Sequence, residues 1–93
     1  MIIAVTPNAA LDVTYEVDEL KPQHSHRVRA VHQRAGGKGV NVASVLALMG
    51  LDAVATGFAG GATGARIRAD LDSRGLRHRF VETEGESRRT INV

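Results

Sequence analysis

The sequence predicts an α/β fold: part of a Rossmann-like parallel sheet with flanking helices, plus a small β-sheet of its own kind. Three observations lead there. Short apolar runs at 1–6 and 52–60 are separated by stretches with helical spacing at 38–49 and 63–75. Glycine clusters stand where a strand would pass into a helix. Two further segments, between the first apolar run and the first helix, mix polar and apolar residues in the period-2 manner of a strand with one wet face.

The elements follow in order. MIIAVT, dense in Ile and Val, reads as a strand buried on both faces, and PNAALD ends it with turn residues. In DVTYEVDEL, Val13, Tyr15 and Val17 fall on one side and Thr14, Glu16 and Asp18 on the other, which predicts a half-solvated strand over 12–17. KPQHSH is a loop around Pro22. RVRAVHQR has the β-branched content of a second such strand, over 27–32, with looser alternation.

RAGGKGVNVA then opens a helix starting near Lys38 or Gly39. Val42, Val45, Leu46 and Met49 recur at i, i+3, i+4 and i+7, which predicts the inward face, and Gly50 is placed as its stop. DAVATGFAGG reads as a buried strand entering a glycine-rich turn. TGARIRADLDSRG reads as a second helix with Thr63 as N-cap, Ile67 and Leu71 inward and Gly75 as its stop. LRHRFVET is a strand, and GESRRTINV begins another. A parallel sheet normally runs beyond three strands, so the expectation is a piece of a larger domain.

Composition bounds the function. Ninety-three residues suit one small domain, and the absence of cysteine removes disulfides and thiolate metal sites. The net charge is only +2, carried by ten arginines and two lysines, and Tyr15, Phe58 and Phe80 are the only aromatics. That balance suits an anionic ligand but lacks the basic and stacking character of a nucleic-acid binder. No segment reads as a membrane span or signal peptide, so a cytoplasmic protein is expected.

The residues with chemistry are few. A helix beginning at Gly36-Gly37-Lys38-Gly39 would present unpaired N–H groups and the positive end of its dipole to an anion or a ring of hydroxyls. Lys38 adds a mobile charge, and Asn41, one turn in, a donor and an acceptor. The motif is not a P-loop, because Lys38 is followed by Gly39 and Val40, and it departs from the dinucleotide fingerprint at Val42. It also reads as a plain strand-to-helix turn with an exposed lysine. Asp12, just after a core strand, can accept bonds from two sugar hydroxyls or can serve as ordinary turn chemistry. Arg88 and Arg89 are a candidate phosphate clamp or a solvated pair. GFAGGATG reads first as a tight turn. His24 and His26 read as loop residues rather than metal ligands. Arg66, Arg68, Arg74, Arg77 and Arg79 read as a solvated face.

Together, TPNAALD, the alternating strand pair, AGGKGVNVA, GFAGGATG and ESRRTINV resemble the N-terminal part of the ribokinase-like carbohydrate kinases of the PfkB family. The similarity runs over essentially the whole chain and is strongest to the 1-phosphofructokinase and tagatose-6-phosphate kinase branch. What it implies is a ribokinase-like fold, truncated, in which residues 1–93 are the N-terminal portion and the alternating strands (12–17 and 27–32) belong to an inserted β-sheet lid. It implies transfer of the γ-phosphoryl group of ATP, with Mg2+, to a sugar phosphate: fructose 1-phosphate first, with tagatose 6-phosphate or fructose 6-phosphate as alternatives. A non-catalytic sugar-phosphate-binding fragment is the other reading. Carried over residue by residue, Asp12 binds sugar hydroxyls, and Gly36, Gly37, Lys38, Gly39 and Asn41 line the sugar site. Arg88 holds the substrate phosphate, with Arg89 as the fallback. The resemblance also implies a homodimer through the lid. The family often reads Asn-Pro-Ala where this chain has Asn8-Ala9-Ala10. Its Gly-Ala-Gly-Asp motif, with the catalytic base and the ATP site, is not among these residues, so no catalytic residue is assigned and the 93 residues alone are expected to be inactive.

Overall fold

The computed structural model describes residues 1–93. The chain runs β1 (Ile2–Thr6), β2 (Ala10–Glu16), β3 (Ala30–Gly36), α1 (Lys38–Leu48), β4 (Ala53–Gly60), α2 (Gly61–Ser73), β5 (His78–Thr83) and β6 (Arg88–Asn92). The strands form two three-stranded sheets. The first has the order β1-β4-β5 and is wholly parallel, so β1-α1-β4 and β4-α2-β5 are two βαβ units. The second has the order β3-β2-β6, with β3 antiparallel and β6 parallel to β2.

This is the predicted α/β architecture, with one rearrangement. The closing strand does not extend the parallel sheet. After β5 the chain turns over and β6 joins the second sheet, pairing Ala10 with Arg88 and Asp12 with Thr90. The strand boundaries also move. β2 begins two residues before the expected 12–17. β3 lies at 30–36 rather than 27–32, so Arg27–Arg29 precede it and it runs into Gly36. The antiparallel pairing sets this: the register of Ala10 on Gly36 carries the ladder to the foot of α1.

Helix α2 holds the two sheets together, packing on β4 and β5 of one and on β2 and β3 of the other. Its Ile67 and Leu71 are fully buried, as the spacing predicts, in a cluster with Leu11, Val13, Ala35 and Val40. Burial of such a side chain contributes about 1.5–3 kcal/mol. Gly50 and Gly75 follow the helix ends where stops were expected. Two features of the helices differ from expectation. The buried stripe of α1 is Gly39, Val40 and Ala43, while Val42, Val45 and Met49 are exposed. Helical spacing defines two apolar stripes here. The parallel sheet beneath presents Ala4 and Ala55, and the smaller stripe approaches it more closely. Thr63 is not the N-cap of α2. It sits inside the first turn and is buried, and the cap position belongs to Gly60.

β1 is covered on one face only. Ala4 and Thr6 are buried against α1, whereas Ile3 and Val5 are exposed. Among the arginines, Arg68 and Arg74 are half-buried rather than on a solvated face. Arg74 pairs with Asp70 at 3.1 Å, and burial pushes its guanidinium below its ordinary value, with Asp70 opposing that shift. The pair grips the outer edge of β3: the Ala35 N–H donates to Asp70 Oδ2 at 2.8 Å and Arg74 Nη2 donates to the Ala35 carbonyl. These side chains satisfy both backbone groups of Ala35 on the β3 edge, where no strand pairs. Among the helices, none is long and apolar enough to cross a membrane.

Candidate sugar-phosphate site

β1 ends at Thr6, and α1 begins at Lys38 beside it. Between them opens a cleft of about 280 Å3, lined by Thr6, Asn8, Lys38, Gly39 and Arg88 among others. It lies at the carboxyl end of a parallel strand and at a helix N-terminus, where α/β sheets place ligands and unpaired N–H groups await an anion. The local sequence dictates this geometry. Gly37 precedes the helix with φ of 116°, a conformation that side chains other than glycine adopt at a cost. A Cβ on Gly39 would overlap the Thr6 hydroxyl, so glycine lets the first turn sit directly on β1. The Thr6 hydroxyl is buried there without a hydrogen-bond partner.

The second sheet delivers the remaining groups. Because β6 is parallel to β2 and in register, residues paired across it share a face. Arg88 is beside Ala10 and reaches back to the cleft, where its Nη2 donates to the Asn8 carbonyl at 3.2 Å. Thr90 Oγ1 donates to Asp12 Oδ1 at 2.6 Å. The Asp12 carboxylate also lies over Gly36, where a Cβ would overlap its Oδ2. Asp12 is thereby oriented by a hydroxyl on one strand and by the absence of a side chain on another.

The structure brings Lys38, Gly39 and Arg88 to the cleft, from two separate parts of the sequence, while Asp12 lies over Gly36 on the adjoining sheet face and Gly37 stands just before the helix. Asn41 lies one turn into α1 and is exposed, and it does not line the cleft. Arg89 is separated from Arg88 by the strand. It faces α2 and donates from Nε to Thr63 Oγ1 at 3.1 Å. The two arginines cannot form a joint clamp from opposite faces. Thr6, Asn8 and Thr90 complete the arrangement and escaped the sequence reading. Thr90 carries a signal, two residues after Arg88 on the same strand face. Thr6 carries none, since it closes an apolar run.

GFAGGATG acts as a turn and an attachment point rather than as a lining of the cleft. His24 and His26 make contacts within their own loop, with Pro22 and Lys21, and no three His, Cys, Asp or Glu side chains converge as a metal site. Chemically, the cleft can hold an anion between a guanidinium, an ammonium and a helix N-terminus, and the Asp12 carboxylate on the adjoining sheet face can accept hydrogen bonds from hydroxyls.

A family model described as pfkB family carbohydrate kinase matches residues 3–93. The chain is similar to the solved phosphofructokinase-2 of Escherichia coli in complex with fructose-6-phosphate, with a TM-score of 0.91 and 30% identity over 97% of this chain. It is similar to a candidate 1-phosphofructokinase of Thermotoga maritima, with a TM-score of 0.86 and 33% identity over 97% of this chain. A candidate phosphofructokinase of Staphylococcus aureus gives 0.88 and 33% over 98%. The chain spans 30% of the length of each of these three proteins.

Proposed function

This chain belongs to the pfkB family of carbohydrate kinases, and from that premise we propose that it supplies the sugar-phosphate side of a kinase site. Within a longer protein of this family, residues 1–93 would be the N-terminal portion, carrying the acceptor site and, in β2, β3 and β6, its lid. The observation that carries the reading is the meeting of Arg88, Lys38 and the α1 N-terminus at one cleft, with Asp12 held on the adjoining sheet face.

The roles follow from the chemistry. Asp12 accepts hydrogen bonds from sugar hydroxyls and fixes which one points toward the phosphoryl donor. Thr90 keeps one carboxylate oxygen occupied, so the other is free to read the sugar. Arg88 binds the phosphate already on the sugar through its planar donors. Gly36, Gly37 and Gly39 let the ligand approach the backbone and Lys38 adds charge, while Asn41, outside the cleft in this structure, would have to reach it as the lid closes. Closing the lid would exclude water from the acceptor hydroxyl. ATP would supply the phosphoryl group, with Mg2+, through residues outside this chain, and the 93 residues by themselves would bind without transferring. Fructose 1-phosphate is the proposed substrate. The fructose-6-phosphate complex of the E. coli relative makes the 6-phosphate the first competitor to test. Assembly through the lid sheet as a homodimer is part of the same reading. The E. coli relative is also described in a tetrameric inhibited form.

Calorimetric titration with fructose 1-phosphate, fructose 6-phosphate, tagatose 6-phosphate and ATP tests the proposal. The sugar phosphates should bind and ATP should not. Arg88→Ala should weaken binding about tenfold or more, as expected for lost charge-assisted hydrogen bonds. Asp12→Ala should do the same. Unchanged affinity in both variants, or ATP binding without sugar-phosphate binding, overturns the assignment.

A further inference from the structure

Arg88 has no partner other than the Asn8 carbonyl, and its place depends on where β6 starts. Glu86 and Ser87, just before β6, and Arg89, just inside it, form a clip onto the β4–α2 junction. Glu86 Oε1 accepts the Thr63 N–H at 2.6 Å, and Glu86 Oε2 occupies the space where a Cβ of Gly61 would be. Gly61 holds φ of 66°, so the carboxylate caps the helix over a residue that only glycine fills without strain. Ser87 closes a reciprocal pair: its Oγ accepts the Gly60 N–H at 2.9 Å and its own N–H donates to the Gly60 carbonyl at 3.0 Å. Arg89 ties the following residue to the Thr63 hydroxyl. The Thr63 N–H, together with its hydroxyl, holds the Glu86 carboxyl below the usual carboxylate range, with a smaller contribution from the Arg89 charge.

We infer that Glu86, with Ser87, is a positioning residue for Arg88: it docks the start of β6 onto the α2 N-terminus so that Arg88 meets the cleft and Thr90 meets Asp12. This rests on the sugar-phosphate reading for its functional consequence, though not for the docking itself. Glu86 touches no substrate. It fixes the register in which Arg88 stands beside Ala10 and Thr90 beside Asp12. A helix N-terminus normally capped by its own residue is here capped by the segment that carries the phosphate-binding arginine, which couples the two.

The test is a double-mutant cycle on the full chain, read by fructose 1-phosphate and fructose 6-phosphate affinity and by amide hydrogen exchange. Glu86→Ala should weaken sugar-phosphate binding about tenfold, the scale of a lost cap and carboxylate hydrogen bond. Glu86→Gln, which keeps an acceptor oxygen, should recover part of it. Adding Glu86→Ala to Arg88→Ala should cost little more, since Glu86 acts through Arg88. Additive losses overturn the inference. If the unmodified chain binds no sugar phosphate, the functional reading fails, and hydrogen exchange decides the docking alone. In Glu86→Ala, and to a lesser degree in Glu86→Gln, the β6 amides paired to β2 should exchange at least several-fold faster while those of β4 keep their protection. Unchanged β6 protection, or equal acceleration in β4 and β6 in both variants, overturns it.

Discussion

The parallel sheet turns Ala4, Ala55 and Ala59 toward the helices and leaves Ile3, Val5, Phe58 and Val81 on its other side, each more than half exposed. The second sheet turns Leu11, Val13 and Ala35 toward α2 and carries Asp12, Thr14, Arg88 and Thr90 on its other side. Both are one-sided layers that share α2, the parallel sheet being covered by α1 as well, yet one bare face is apolar and the other polar and charged. The difference shows that exposure has two meanings in one small chain. The polar face is the kind that works in water. The apolar face is a surface of the kind that proteins ordinarily cover.

The shared core is where the comparison should break first. Ile67→Ala removes a fully buried side chain from the cluster joining α2 to the second sheet, and an expected loss of about 2–5 kcal/mol is large for a domain this small. Urea unfolding should show both sheets lost in one transition. Separate transitions would mean that the sheets are independent units.

Gly36→Ala should separate function from fold. Its Cβ displaces the movable end of Asp12 rather than backbone, so stability should fall by about 1 kcal/mol or less. Sugar-phosphate affinity should drop at least as much as in Asp12→Ala. Retained affinity in calorimetry would remove the Asp12 carboxylate from the site.

On the apolar face, Val5→Thr with Val81→Thr keeps shape and adds hydroxyls to exposed positions. Stability should stay within about 0.5 kcal/mol per site, and sedimentation should show less self-association. A loss of several kcal/mol would mean that the face is already packed.

The smallest effect is expected in acid. Hydrogen bonding to Arg29, then to His32, holds Glu16 below its ordinary value of 4.5, and Thr63 does the same for Glu86. Depressed folded values favour the native state above 4.5, and that contribution is lost as pH falls through the lowered values. Both carboxylates are solvent-accessible, so the change should be small and salt-sensitive. Urea midpoints measured above and below 4.5 should converge for Glu16→Gln with Glu86→Gln. An equal acid response in that variant would assign the effect to other groups.

Much of the fold was legible because it is local. The period of Val13 and Tyr15, the spacing of Ile67 and Leu71, and the glycines after each helix reflect chain geometry that operates within a few residues. The choice of apolar stripe on α1 was not local. Val40 and Ala43 won over Val42 and Val45 because of what lies beneath them, and no property of the helix alone distinguishes the two. The same holds for the site. Gly37 and Gly39 announce a tight strand-to-helix passage, and Asp12 stands in a telling place in the sequence.

What the sequence determined by itself was the alternation of strands and helices, the glycine-lined helix start and the identity of the charged groups, since these depend on backbone freedom and side-chain chemistry. Tertiary structure alone decided that β6 leaves the parallel sheet and lies in register on β2. Strand pairing has no signature in sequence spacing, because the partner is nearly eighty residues away. That one pairing sends Arg88 to the cleft and Arg89 to Thr63, and gives Asp12 its hydroxyl from Thr90.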